Sequence, residues 1–138
     1  MTGKNSVPQG VAGIGIDIVE NTRVAEALER HGDKFKERVF LKSEQDYCDQ
    51  KASPALHYAS RFAVKEAVSK AFGTGIGASL GWLDIEVTRL EAGAPAVRLL
   101  GKGAELAKQM RIANIFVSLS HTHRYAAATA LLTIGDRP

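Results

Sequence analysis

The run GIGIDIVE, residues 13–20, constrains the fold more than any other stretch of the chain. From Val11 to Val19 an alternation develops in which Ile14, Ile16 and Ile18 share one face while Gly15, Asp17 and Val19 share the other. That period reads as a strand, with Asp17 near its C-terminal end. An ionised group inside an apolar run is costly to bury unless it is paired. Asp17 is therefore either a strand-end residue capping the next helix or one half of a site. Gly13 and Gly15, on either side of Ile14, admit close approach by another backbone or a ligand, which favours the site.

The rest of the chain reads as helices and strands packed against this first strand. Asn21 or Thr22 caps a helix in which Val24, Leu28, His31 and Phe35 form a core-facing stripe. Arg23, Arg30 and Lys34 recur at matching spacings on another face. Ser43 with Asp46 resembles a capping box and opens a short helix. Ser53-Pro54 starts a long helix that runs to about Phe72, where Gly73 stops it. Trp82 to Leu90 alternates, with Leu83, Ile85 and Val87 on one face. Gly93-Ala94-Pro95 then turns the chain into a second run, Ala96 to Leu100, as a hairpin. A helix over Lys102 to Met110 precedes two further strands, Ile115 to Ser120 and Tyr125 to Ile134. The last is alanine-rich and helical on propensity alone, but its Thr and Ile content and the alternation Ala128, Ala130, Leu132, Ile134 predict a strand. The order β-α-α-α-β-β-α-β-β predicts a mixed α+β fold with a mainly antiparallel sheet packed with helices.

A chain of 138 residues, 45% apolar and 24% charged, suits one globular domain, residues 10–138, behind a polar and flexible tail of residues 1–9. A single cysteine, Cys48, excludes an intrachain disulfide framework and fits a reducing compartment. With no base nearby in sequence, it is not expected to act as a nucleophile. Met1 to Gln9 lacks an apolar signal core, and no run approaches the length of a membrane span. The expectation is a soluble, cytoplasmic protein. A net charge of +3 is compatible with acidic partners but, unclustered, does not indicate nucleic acid.

The second half of the candidate site lies on the long helix, RFAVKEAVSKAF. Glu66, Ser69 and Lys70 fall together at i, i+3 and i+4, as either a solvated ion pair or a site. With Asp17, Glu66 supplies the carboxylates that Mg²⁺ uses alongside substrate phosphates and water. Lys70 then reaches a phosphate oxygen as a point charge, and Arg61 and Lys65 add cations to the same helix. Gly73-Thr74-Gly75-Ile76-Gly77 follows a helix instead of preceding one, which excludes a Rossmann or P-loop role. It is either a helix C-cap and turn or a backbone nest for an anion. His121 and His123 face one side in extended geometry but lack a third donor for zinc. A strand-end histidine at a phosphate fits better.

Taken together, GIGIDIVE, RFAVKEAVSKAFGTGIG and SLSHTHRYAAATALL resemble the bacterial holo-[acyl-carrier-protein] synthases, a branch of the 4′-phosphopantetheinyl transferases. The similarity runs from Val11 to Ile134. It implies the transferase fold of that family and a magnesium ion on Asp17 and Glu66 that grips the diphosphate of coenzyme A. A serine hydroxyl of apo acyl carrier protein would attack the β-phosphate, phosphopantetheine would move, and adenosine 3′,5′-bisphosphate would leave. Lys70 completes the catalytic set, and either Glu66 or a metal-activated water takes the serine proton. Arg61 and His121 match positions near the nucleotide, with Lys65, Gly73 and Thr74 beside them in the cofactor-binding set. Arg23, Arg30 and Lys34 match the face that docks an acidic carrier. The resemblance also implies a homotrimer with sites between subunits and a place in fatty acid biosynthesis. It departs at Gly93-Ala94-Pro95, where the family usually carries a lysine between glycine and proline, and it assigns His123 no role. A small pyrophosphohydrolase would need a denser carboxylate cluster. A basic RNA-binding module would need exposed aromatics among Lys and Arg, whereas Trp82 and the five Phe lie mostly in apolar runs.

Overall fold

In the computed structural model, which describes residues 10–89 and 92–135, the alternating run becomes β1 (Val11–Glu20). There follow α1 (Asn21–His31), α2 (Asp33–Val39), α3 (Lys42–Asp49) and α4 (Pro54–Ala71). A 3₁₀ turn (Trp82–Asp84) leads into β2 (Ile85–Arg89), β3 (Pro95–Leu99), α5 (Gly101–Gln109), β4 (Ile112–His121) and β5 (Tyr125–Ile134). The architecture is α+β and every strand pairing is antiparallel. One sheet has the order β1-β5-β4, and β2 and β3 form a separate hairpin. The expected tail, residues 1–9, lies outside the described residues, as do Leu90, Glu91 and residues 136–138.

β5 is the central strand despite its alanines. Ala126, Ala128, Ala130 and Leu132 lie on its inner face and are buried. Short side chains there let α4 sit close to the sheet, so packing overrides helical propensity. α4 crosses that face as the hub of the core, with Tyr58, Ala59, Ala63, Val64, Ala67 and Val68 fully buried.

Where the sequence predicts one helix from Asn21 to Phe35, the structure has two. Gly32 sits at φ 54 and ψ −127, a backbone conformation that favours glycine. Its N–H closes α1 on the Leu28 carbonyl (2.8 Å), and its carbonyl accepts from Phe35 and Lys36 to start α2. The break turns His31 out to solvent, so the predicted core stripe loses that member, while Phe35 packs edge-on against Phe40. Three capping assignments also change. Glu44, not Asp46, caps α3 by accepting from the Leu41 N–H (2.8 Å). The Ser53 hydroxyl makes no cap bond. Asn21 is the first residue of α1 and ties the β4–β5 turn instead, its amide donating to the Thr122 and His123 carbonyls (3.1 Å each). Trp82 to Asp84 forms the 3₁₀ turn ahead of β2, which leaves Leu83 exposed beside buried Ile85 and Val87.

Candidate active site

The site begins with a seam between β1 and α4. A Cβ placed on Gly13 would lie 2.0 Å from the Ala71 carbonyl oxygen, and one on Gly15 would lie 2.1 Å from that of Ala67. Backbone meets backbone there, a distance only glycine permits. The glycine face of β1 is thus the inner one, and Asp17, two residues on, is aimed at α4 in the same pleat.

Across the seam the structure brings Asp17, Glu66 and Lys70 together. Lys70 Nζ lies 2.9 Å from Asp17 Oδ1 and also donates to the Ile16 carbonyl (3.2 Å) on the free edge of β1. Burial, and then the neighbouring Asp17 charge, raise the Glu66 carboxyl above the ordinary glutamate range, and Lys70 partly offsets this. Two carboxylates that repel each other in a partly dry cleft, with one ammonium on its rim, form a donor set short of positive charge. Among the described residues no third Asp, Glu, His or Cys joins them. Mg²⁺ suits that arrangement, since it takes few protein carboxylates and fills the rest of its shell with water and phosphate oxygens. Ser69 turns away from this face: it is buried, and its hydroxyl donates back to the Glu66 carbonyl (2.7 Å).

Lys65, expected among the cofactor-binding cations, is withdrawn from the cleft. Its side chain is fully buried, and its Nζ donates to Glu44 Oε1 (2.7 Å), the Val39 carbonyl (2.8 Å) and the Trp82 carbonyl (3.0 Å). An ammonium has three donors, so none remains for a ligand. Arg61, one turn earlier, is also nearly enclosed, but its guanidinium stacks on the Tyr47 ring at 4.1 Å and its Nε finds no partner among the described residues. Lys51 (4.4 Å) and Arg89 (5.4 Å) converge on the same ring, and His57 meets it edge-on at 5.9 Å. Burial first, then the charges of Arg61, Lys51, His121 and Arg89, hold the His57 imidazole below its ordinary value. Four basic side chains thus gather around one aromatic ring, with His121 close enough to act on His57. This cationic pocket, beyond Arg61 and His121, is what sequence reasoning missed. Its members come from α3, α4, β2 and β4 and the loop after α3, and no local spacing links them.

His121 ends β4 opposite Ala126, on the sheet face that carries Asp17, two strands across from it. His123 lies beyond the strand in the turn. The glycine loop resolves as a C-cap: Gly73 takes φ 82, and the N–H groups of Gly73, Thr74 and Gly75 turn back onto the Lys70 and Ser69 carbonyls. Those amides are engaged, so Gly73 and Thr74 form no free backbone nest. Arg23 and Arg30 are exposed on α1, whereas Lys34 belongs to α2 beyond the Gly32 break and borders a hollow with His31, Phe35 and Arg38. Burial pushes the Cys48 thiol up to about 12, which leaves it inert.

Residues 13–130 match the model of the 4′-phosphopantetheinyl transferase superfamily. The chain is 48% identical over 124 residues to a holo-[acyl-carrier-protein] synthase of Ruminiclostridium cellulolyticum, covering 89% of this chain and 92% of that one. Its fold is similar to the crystal structure of the Neisseria meningitidis synthase, with TM-score 0.83 and 27% identity over 88% of this chain and 98% of that one. It is also similar to the Helicobacter pylori synthase solved in complex with coenzyme A, with TM-score 0.77 and 36% identity over 87% and 99% of the two chains.

Proposed function

The chain belongs to the 4′-phosphopantetheinyl transferase superfamily, as an enzyme of its holo-[acyl-carrier-protein] synthase family, and on that premise we propose that it moves phosphopantetheine from coenzyme A to a serine of an acyl carrier protein of fatty acid synthesis. The observation that carries the reading is the Asp17–Glu66 pair held across the glycine seam with Lys70 beside it. Asp17 and Glu66 would hold Mg²⁺ against the coenzyme A diphosphate, where the ion neutralises the charge that builds up during transfer. Lys70 exchanges its ion pair with Asp17 for a phosphate oxygen, a short swing for a long, half-exposed side chain. The serine proton would go to Glu66 or to a water held at the site. Arg61 and His121 bind the anionic nucleotide end. The Tyr47 cluster supports this, since a nearly buried guanidinium with an Nε unpartnered among the described residues, beside Lys51, Arg89 and His57, suits an anion. Adenosine 3′,5′-bisphosphate is the leaving group.

The exposed Arg23 and Arg30 of α1, with Lys34 of α2, provide a basic face for an acidic carrier. Self-association, as the homotrimer that the family resemblance implies, has its own support. The outer face of the three-stranded sheet bares Ile14 (68% exposed), Ile16 (64%), Ile18 (65%) and Phe116 (55%). A row of that kind on an open sheet calls for a cover. Ile14 and Ile16 also line a groove of about 470 Å³ with Lys70, so a copy packed there abuts the catalytic lysine and places the site between subunits.

The test is direct. The protein is incubated with coenzyme A, Mg²⁺ and apo carrier, and the carrier is weighed intact. A carrier heavier by one phosphopantetheine is expected. An unmodified carrier, beside a known synthase that succeeds, would refute the assignment.

A further inference from the structure

We propose that the buried Glu44–Lys65 pair is a positioning device for the metal site: it sets the rotation of α4 and so the direction in which Glu66 points. The inference rests on the reading of Asp17 and Glu66 as metal ligands.

Successive residues on α4 turn by about 100°, so Lys65 lies about 160° around the helix from Ala67 and about 120° from Ala71, on the far side from the seam against β1. Glu66 lies between these two directions. The seam fixes how closely α4 approaches the sheet. Non-directional packing at small residues leaves the helix free to rock about its axis, and only contacts on the far side can hold that rotation. Lys65 supplies them as three directed bonds, to the end of α2 at Val39, to α3 through Glu44 and to the 3₁₀ turn at Trp82. Glu44 is anchored in turn. Its Oε1 caps α3 at the Leu41 N–H, and its Oε2 accepts from the Val87 N–H of β2 (2.7 Å). Both side chains are fully buried.

A buried ion pair is a poor choice for stability, because apolar residues of similar volume often serve as well or better. What it adds is direction. Neighbours that orient metal ligands through hydrogen bonds change metal affinity by about 10–100-fold when removed, and a helix pinned on both sides orients Glu66 in the same sense.

The test uses Lys65→Met and the double variant Glu44→Gln/Lys65→Met, which removes both charges so that neither is left buried alone. Binding of Mn²⁺ in the presence of coenzyme A is read by electron paramagnetic resonance, well below each variant's melting temperature. Both variants should bind Mn²⁺ at least about tenfold more weakly. Their kcat should fall while KM for the carrier stays put, because the carrier-docking face is untouched. Leu80→Ala, a core truncation against α5 at Gly103, should lower the melting temperature and keep wild-type Mn²⁺ affinity. Glu44→Gln, which leaves Lys65 its two carbonyl acceptors, decides the matter if both lysine variants fail to fold. A folded variant of the pair with wild-type Mn²⁺ affinity overturns the proposal. Glu66→Gln separates the two failures. If it also binds Mn²⁺ normally, the metal-site reading is wrong; if it alone loses affinity, only the positioning role is.

Discussion

Gly15→Ala tests the seam that brings the two carboxylates together. The added methyl would sit 2.1 Å from the Ala67 carbonyl oxygen and 2.6 Å from the Ala71 nitrogen, both backbone atoms of a helix whose Ala63, Val64, Ala67 and Val68 are fully buried. Restoring ordinary contact requires β1 and α4 to part by more than about 1 Å. Neither side has a rotamer to change, so the strain falls on the packing of strand against helix. Overpacking of this kind costs about 1–3 kcal/mol, which in a domain of this size lowers Tm by roughly 5–10 °C. The effect on chemistry is larger than that. Asp17 rides on β1 and Glu66 on α4, so the carboxylates separate by the same distance, and a misplacement of about 1 Å costs on the order of a hundredfold in rate. The assay pairs intact-mass kinetics of carrier modification with a thermal melt. Gly77→Ala serves as control, since a Cβ there meets nothing within 4 Å. Wild-type rate and Tm in Gly15→Ala would refute the claim that backbone contact at this seam sets the site.

Three further outcomes are expected. Ile16→Glu places a charge in the exposed isoleucine row and, in the proposed trimer, removes apolar burial worth about 1.5–3 kcal/mol per copy, so light scattering should show a trimeric wild type and a monomeric variant; a variant as trimeric as the wild type would relocate the interface. Glu86, which accepts from Ser43 (2.7 Å) and from Arg98 (2.6 and 2.9 Å), is held below the ordinary glutamate value first by the Ser43 bond and then by Arg98. A lowered folded-state value means that this stabilisation is present above the unfolded value of 4.5 and is lost as pH falls through the folded one. Glu86→Gln should therefore flatten the acid limb of a Tm-versus-pH curve, and an unaltered limb would discount the contact. Arg30→Glu should raise KM for the carrier by about tenfold and weaken the salt dependence of the reaction, with KM for coenzyme A unchanged; equal effects on both substrates would remove α1 from the docking face.

Much of this was legible in the chain before any fold was known, where the signal was local. The alternation of β1, the Pro54 and Gly73 bounds of α4 and the hairpin turn at Gly93 all depend on neighbours in sequence. The face of β1 was a harder question. Alternation separates Ile14, Ile16 and Ile18 from Gly15 and Asp17 without saying which set is inside, and here the glycines face the core because α4 needs the room. The stripe from Val24 to Phe35 suits one helix by spacing, and a glycine conformation at Gly32 divides it. Lys65 reads as one cation among several on a basic helix. Its burial depends on Glu44, which lies on another helix and is joined to it only by the fold. The Tyr47 pocket was invisible for the same reason.

Asp17 and Glu66, as proposed, hold a divalent ion against the coenzyme A diphosphate. The most direct measurement is calorimetric binding of coenzyme A with and without Mg²⁺, in the wild type and in Asp17→Ala and Glu66→Ala. Mg²⁺ should tighten binding in the wild type and leave it unchanged in each variant. The same Mg²⁺-dependent tightening in either folded variant would contradict it.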